Sequence, residues 1–400
     1  MAVSTDPKKI EGLLTRGVER IFPSREFLEA RLKEGTQLSL YGGFDPTGPD
    51  LHMGHSISLR KLRQFQELGH KVVMLIGDFT AMIGDPTDKS AARVRLTREQ
   101  VLKNAEHYKE QASKILDFEG ENPAELKYNS DWLARMTLAD AVELASNFTV
   151  QQMEERDMFE KRLNEGKPIY LHEFLYPLMQ GYDCVAMEVD GEVGGNDQTF
   201  NMLAGRTLMK ALKGKEKFVL TNKLLVDPTG KKMGKSEGNM ITLGDASDEM
   251  FGKIMSWTDG MIVGGFEILT TDDEKAVQKE LDDGVNPREL KARLARTVVA
   301  QYFDEAEATA ASERFDQLFQ KKETPDEIPV IKLGGSEKLV SVLADAGFIK
   351  SRSEGRRLVE EGGVKVDGVV ATDIEQMIAP TKEGVVVQKG KRHFVRVVRR

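Results

Sequence analysis

The chain has 400 residues, a mass of 44.7 kDa and a net charge of −8, enough length for two or three domains with cores of their own. Its 40% hydrophobic and 30% charged residues are ordinary for a soluble globular protein, and the single cysteine, Cys184, excludes a disulfide framework and a zinc cluster. No apolar run approaches a membrane span, and residues 1–11 lack the apolar core of a secretory leader, which predicts a cytoplasmic protein.

In chain order, residues 38–44 and 71–79 are short apolar runs that predict buried parallel strands, each followed by a helical pattern such as 57–68. Residues 127–130 and 218–221 are weaker strand candidates. The alternation predicts an α/β domain over 1–225, a doubly wound, Rossmann-like parallel sheet with ligands beyond the carboxyl ends of its strands. Residues 41–55 and 77–89 both follow such strands. The stretch 149–167 is charged and helical and ends at Pro168, and 172–187 resumes as a helix rich in Leu and Met. Beyond a lysine loop, 246–257 and 286–319 predict helices, with Leu290, Leu294, Val298 and Tyr302 at helical spacing, so 226–325 reads as an α-helical domain. Pro325, Pro329 and the acidic run 323–327 mark a linker, placed at 326–335. The remainder, 336–400, predicts a small α+β domain. From residue 332 onward Lys and Arg exceed Asp and Glu by about five, leaving the rest acidic by about thirteen. A basic module on an acidic body suits RNA binding at one end; a merely solvated terminal domain has the same composition.

His52-Met53-Gly54-His55 joins the first predicted strand to the first predicted helix. A strand entering a helix through small and polar residues presents backbone N–H groups and the positive end of the helix dipole to an anion. Two imidazoles three residues apart add donors for a polyphosphate. Alone, the segment also fits an ordinary surface loop. Far downstream, Lys232-Met233-Gly234-Lys235-Ser236 sets two ammonium groups in a loop bracketed by Gly230 and Gly238, able to close over negative charge or simply to be solvated. Neither this loop nor 84–90 is a Walker phosphate loop, because Thr229 and Asp88 stand where glycine is required. Tyr176, Gln180 and Asp183 fall on one face of the 172–187 helix. A phenol, an amide and a carboxylate among Leu178, Met179 and Val185 predict a pocket rather than a water-facing stripe.

In this order, the histidine and lysine segments resemble the HIGH and KMSKS signatures of the class I aminoacyl-tRNA synthetases. Tyr41-Gly42-Gly43-Phe44-Asp45-Pro46-Thr47-Gly48-Pro49-Asp50-Leu51-His52-Met53-Gly54-His55 is similar to the tyrosyl-tRNA synthetase form. Ile83-Gly84-Asp85-Pro86, Tyr176-Pro177-Leu178-Met179-Gln180-Gly181-Tyr182-Asp183, Gly194-Gly195-Asn196-Asp197-Gln198 and the lysine loop follow in that family's order. The tail from about Gly334 resembles the small RNA-binding domain shared with a ribosomal protein of the small subunit.

The resemblance implies that Tyr41 and Asp183 grip the phenolic hydroxyl of L-tyrosine, and that Tyr176, Gln180 and Asp85 hold its ammonium group with Gln198 nearby. For ATP it implies contacts from Asp45, Gly54, Asp197, Lys235 and Ser236. It implies catalytic charge stabilisation by Thr47, His52, His55, Lys232 and Lys235, with Lys89 and Arg93 as candidate phosphate contacts. ATP is then a substrate accompanied by Mg2+, with no protein-bound metal or organic cofactor. In the tail, Lys350, Arg352, Arg356 and Arg357 would meet the phosphates of the tRNA. The family acts as a homodimer, with the inserted segment at about 149–180 as the interface. Three positions depart from the family pattern: Met53 for isoleucine, Gly234 for serine, and Asn196 where Ser or Thr is commoner.

The implied reaction is attack of the tyrosine carboxylate on the α-phosphate of ATP, followed by transfer to the terminal ribose of the tRNA. An ionised nucleophile needs no general base, so catalysis reduces to positioning and stabilisation of charge on the leaving phosphates. Phenylalanine would leave the buried acid and phenol unpaired, which disfavours it without an editing site. The tryptophan-specific sister enzyme is the nearest alternative, opposed by Asp183 and the basic tail. A catalytically silent RNA-binding regulator would tolerate loss of His52, Lys232 or Asp183, and all three are present. A small-molecule nucleotidyltransferase would need neither the lysine loop nor the tail.

Overall fold

The computed structural model describes residues 2–85, 96–154, 156–227, 229, 240–319, 328–390 and 393–400. The chain divides into two compact units, Met1–Ala308 and Thr309–Arg400. A six-stranded sheet organises the first: Val18–Phe22 (β1), Ser39–Phe44 (β2), Lys71–Ile76 (β3), Glu125–Tyr128 (β4), Gly191–Gly195 (β5) and Phe218–Asn222 (β6). Their order is β1-β6-β5-β2-β3-β4. Strands β2 to β6 run parallel to their neighbours, and β1 pairs antiparallel with β6 at one edge. From β2 the chain winds outward through β3 and β4, then returns to place β5 on the other side of β2. That reversal of direction between β2 and β5 opens a crevice beyond their carboxyl ends.

The predicted strands appear within a few residues of their expected bounds. Strands β1 and β5 carry no comparable apolar run. Strand β5 has three glycines in five residues, against strand propensity. Packing explains two of them: a Cβ on Gly191 would lie 2.1 Å from the Phe218 ring, and one on Gly194 would lie 2.9 Å from the sulfur of Met202.

The helix Met53–Glu67 begins four residues before the predicted one and buries Met53, Ile57, Leu59, Leu62 and Phe65 at helical spacing. Helices Leu171–Met187 and Thr199–Lys213 meet at Gly181 and Gly205, where a Cβ on Gly181 would lie 3.0 Å from the Gly205 nitrogen. Beneath them Tyr41, Val73, Leu75, Cys184, Val185, Leu208 and Met209 form one buried cluster. The predicted helix 149–167 is two short helices, Val150–Glu154 and Asp157–Asn164. Around it Leu138 and Leu171 are 81% and 83% exposed, with Val142, Val150, Leu163 and Tyr170 also exposed.

The predicted helix 286–319 is likewise two, Pro287–Tyr302 and Glu305–Phe319, separated at Phe303 and Asp304. Leu290, Leu294, Val298 and Tyr302 are all buried, as their spacing predicts. Arg16 ties this helical region to the N-terminal helix Pro7–Thr15, donating to the carbonyls of Phe266, Thr270 and Asp272. Lys61, buried on the Met53–Glu67 helix, donates to the carbonyls of Leu13 and Arg16 at 2.8 and 2.9 Å.

The second unit holds a five-stranded sheet with the helices Leu339–Asp345 and Arg352–Glu360 over its own core, centred on Leu339, Val342, Leu343, Val364, Val387 and Val397. Of the expected linker, residues 326 and 327 lie outside the described residues. Among the described residues no helix is long and apolar enough to cross a membrane.

Candidate active site

The histidine segment sits where β2 hands over to the Met53–Glu67 helix. His52 is the N-cap, and the two imidazoles cap each other's backbone: His55 N–H donates to His52 Nδ1 at 3.3 Å, and His52 N–H donates to His55 Nδ1 at 3.1 Å. With Nδ1 accepting in both rings, the neutral tautomer carries its proton on Nε2, giving two N–H donors at the helix start. The rings stack with centroids 3.6 Å apart. A Cβ on Gly54 would lie 3.0 Å from the His52 ring, so the glycine makes room for the stack.

The loop before His52 is stitched down by side chains from the helices that follow. Asn104 donates to Pro46 O, Tyr108 to Gly48 O, and Gln111 to Pro49 O while accepting from Leu51 N–H. Thr47 is exposed within it. Ile241–Leu243, just past the lysine loop, pair with the same segment: Met53 N–H donates to Ile241 O at 2.9 Å and Leu243 N–H to Leu51 O at 2.8 Å. Lys114 donates to Leu243 O at 2.7 Å.

A buried polar cluster lies beside the switch between β2 and β5. Asp183 is buried on the Leu171–Met187 helix and accepts from Trp132 Nε1 at 2.8 Å and from Asn129 Nδ2 at 3.3 Å. Burial drives its carboxyl well above the ordinary carboxylate range, a rise that those two N–H groups only partly oppose. Tyr41, fully buried on β2, donates to Gln180 O at 3.5 Å. Its phenol is likewise pushed far up by burial and then by the charge of Glu192. From Asp183 a hydrogen-bonded row runs through the cluster. Asn129 Nδ2 also donates to Thr80 Oγ1 at 3.0 Å, Thr80 donates to Asp45 Oδ1 at 2.8 Å, and Tyr176 donates to Asp45 Oδ2 at 2.8 Å. Gly77 permits this, since a Cβ there would overlap Asp45 and Thr80.

On the other side, Asp85 accepts from Gln198 Nε2 at 2.8 Å and from Arg156 Nη2 at 3.2 Å. The Arg156 guanidinium lies 5.6 Å from the Phe159 ring centre and 5.5 Å from that of Phe200. Gln180 donates to Glu192 at 3.1 Å, and Glu192 is paired with the buried Lys217. Asp197 follows β5 on a short 3-10 turn. The structure therefore gathers Tyr41, Asp45, Asp85, Tyr176, Gln180, Asp183, Asp197 and Gln198 around the carboxyl ends of β2 and β5, with His52, Gly54 and His55 at the start of the adjoining helix.

Lys89, Arg93, Lys232, Lys235 and Ser236 lie outside the described residues. Sequence reasoning missed Thr80, Asn129, Trp132, Arg156, Glu192 and Lys217. Asn129 had a usable signal, a polar side chain one residue past a parallel strand. Glu192 had another, an acid inside a glycine-rich strand. Lys217 and Trp132 had none, because only tertiary packing brings them under the pocket. Among the described residues no three His, Cys, Asp or Glu side chains gather as a metal site. In the second unit Lys350, Arg352, Arg356 and Arg357 are all exposed, the arginines on the helix Arg352–Glu360 and Lys350 just ahead of it.

The chain is similar to known proteins over most of its length. Residues 33–320 match the family model described as tRNA synthetases class I (W and Y), and residues 337–383 match the S4 domain. A tyrosine–tRNA ligase of Photobacterium profundum is 46% identical over 390 residues, spanning 96% of this chain and 97% of that one. The tyrosine–tRNA ligase of Geobacter sulfurreducens is 47% identical over 397 residues, with the same coverage of both chains. Among solved structures, a C-terminally truncated mitochondrial tyrosyl-tRNA synthetase of Coccidioides posadasii is similar in fold, with a TM-score of 0.62 and 24% identity, covering 76% of this chain and 91% of that one. The tyrosyl-tRNA synthetase of Archaeoglobus fulgidus complexed with L-tyrosine gives 0.61 and 21%, covering 76% and 99%.

Proposed function

The chain belongs to the class I tRNA synthetases, among the tyrosine–tRNA ligases, and from that premise we propose how its own residues carry out the reaction. The enzyme activates L-tyrosine with ATP, releasing pyrophosphate, and transfers the tyrosyl group to the 3′-terminal ribose of its tRNA. The phenol of tyrosine enters between Tyr41 and Asp183, and its ammonium group is held by Tyr176, Gln180 and Asp85, with Gln198 bracing Asp85. The observation that carries this reading is Asp183, buried yet fixed by Trp132 and Asn129 so that both oxygens are oriented acceptors. A site of that kind favours a ligand bearing a hydroxyl at its far end and penalises one that lacks it.

The carboxylate of the bound amino acid attacks the α-phosphate in line. No proton is removed from it, so what the protein supplies is alignment and charge. His52 and His55 contribute Nε2–H donors at the positive end of their helix, Thr47 contributes a hydroxyl, and Asp45, Gly54 and Asp197 form the nucleotide side. Lys232 and Lys235, with Ser236, close over the departing pyrophosphate, and Lys89 and Arg93 add charge. The pairing of Ile241 with Met53 favours this assignment, since the six peptide steps from Lys235 to Ile241 span at most about 22 Å. Magnesium enters as part of the nucleotide substrate, bound by its phosphate oxygens.

The second unit docks the tRNA through Lys350, Arg352, Arg356 and Arg357. The enzyme works in the cytoplasm as a homodimer. The exposed Leu138, Val142, Val150, Leu163, Tyr170 and Leu171 supply an apolar interface around the inserted segment.

The deciding experiment is amino-acid-dependent pyrophosphate–ATP exchange with tyrosine, phenylalanine and tryptophan. Tyrosine alone should support exchange. Exchange driven best by tryptophan, or by no amino acid, would overturn the assignment.

A further inference from the structure

A buried ion pair lies beneath the amino-acid pocket and belongs to none of the roles above. Glu192 stands on β5 directly across from Tyr41 on β2, 2% exposed, and Lys217 just before β6 is wholly buried. One Glu192 oxygen accepts from Lys217 Nζ, and the other accepts from Gln180 Nε2 at 3.1 Å. Lys217 also donates to Met202 O at 3.3 Å and lies 5.6 Å from the centre of the Tyr41 ring. Space for the ammonium comes from Gly205, where a Cβ would stand 2.6 Å from Nζ. Burial by itself would lower the Lys217 ammonium, but Cys184 and Glu192 outweigh it and raise it above its ordinary value.

An ionised carboxylate only accepts hydrogen bonds, whereas a side-chain amide can present either end. Facing Glu192, Gln180 must turn its nitrogen down and its carbonyl oxygen up. An ammonium offers only donors, so Gln180 can serve a substrate ammonium only through that oxygen. We propose that Glu192, anchored by Lys217, is a positioning residue that locks the Gln180 amide with its carbonyl oxygen toward the ammonium group of bound tyrosine. Lys217 also neutralises the acid in a region that already holds Asp183 and Asp45, where a lone buried carboxylate would be costly. This rests on the reading of Gln180 as an ammonium-binding residue.

The substitution Glu192→Gln inverts the lock. The ammonium of Lys217 claims the oxygen of the new amide, whose NH2 then faces Gln180 and draws the Gln180 oxygen away from the substrate. KM for tyrosine in the exchange reaction should rise by about tenfold, the factor for losing a hydrogen bond to a charged group, with KM for ATP unchanged. A readout insensitive to general loosening is inhibition by 3-(4-hydroxyphenyl)propanoate, which is tyrosine without its amine. Its inhibition constant should stay at the unmodified value, while that of tyrosinol, which keeps the amine, should rise with KM. The apolar pair Glu192→Leu with Lys217→Met removes both charges together, so the test survives if the single variant fails to fold, and the same selective loss is expected. Equal weakening of the two inhibitors, or no weakening of either, in a folded variant would overturn the proposal. Absence of tyrosine-dependent exchange in the unmodified protein would instead overturn the functional reading beneath it.

Discussion

Replacing Asp183 by asparagine isolates the contribution of one oxygen to substrate choice. In the native pocket each carboxylate oxygen already accepts a protein N–H, from Trp132 at 2.8 Å and from Asn129 at 3.3 Å. An amide keeps one acceptor and exchanges the other for a donor, so whichever way it turns, one of those N–H groups faces another N–H. The shorter bond to Trp132 should be kept and the longer one to Asn129 broken. A buried donor left without a partner costs about 1–3 kcal/mol of stability. For the substrate, the phenolic O–H would meet a neutral acceptor instead of a charged one, a difference of about 1–1.5 kcal/mol. That corresponds to roughly a tenfold drop in the ratio of kcat/KM for tyrosine over phenylalanine. Pyrophosphate exchange with each amino acid gives the ratio, and thermal denaturation reports the stability cost. A folded Asp183→Asn enzyme with an unchanged ratio would refute the reasoning, because the acid would then not be the group that reads the hydroxyl.

Three further outcomes are expected. Burial pulls the Lys61 ammonium down to about 7, while an unfolded chain holds that proton to about 10.4. The unfolded state therefore binds more protons between those values, so the contribution of this site to stability grows as pH rises from 7 toward 10. Denaturation midpoints measured across that range should climb more in the native protein than in Lys61→Met, and parallel curves would contradict the assignment. Arg356→Ala combined with Arg357→Ala should weaken tRNA binding and reduce the slope of log affinity against log salt by about two; an unchanged slope would remove these arginines from the RNA contact. Leu138→Glu with Leu171→Glu should shift sedimentation from dimer to monomer, whereas a persisting dimer would place the interface elsewhere.

What could be read from the chain alone divides by physical cause. Strands β2 and β3 announce themselves because two-sided burial requires continuous apolar runs such as Val72 to Ile76. Strand β5 does not, since its glycines answer to the bulk of Phe218 and Met202 on neighbouring elements. The long helical patterns at 149–167 and 286–319 overran the breaks that the structure places inside them, because periodicity carries through a short non-helical step such as Phe303 and Asp304. Tyr176, Gln180 and Asp183 were legible as a set because one helix presents them at regular intervals. Their supports were not. Trp132, Thr80 and Lys217 come from three other places in the sequence, and nothing local distinguishes them from residues that merely fill a fold.

The row of hydrogen bonds from Asp183 through Asn129, Thr80 and Asp45 to Tyr176 makes the two ends of the tyrosine pocket one thermodynamic object. Substitutions at its ends will not have separable effects, since each donor turned aside leaves the next one to find a new partner. Thr80 is joined to Asp183 through the single amide of Asn129, so a change at either is felt at the other. A hydroxyl removed from Thr80 would leave Asn129 and Asp45 each without the partner that they now share.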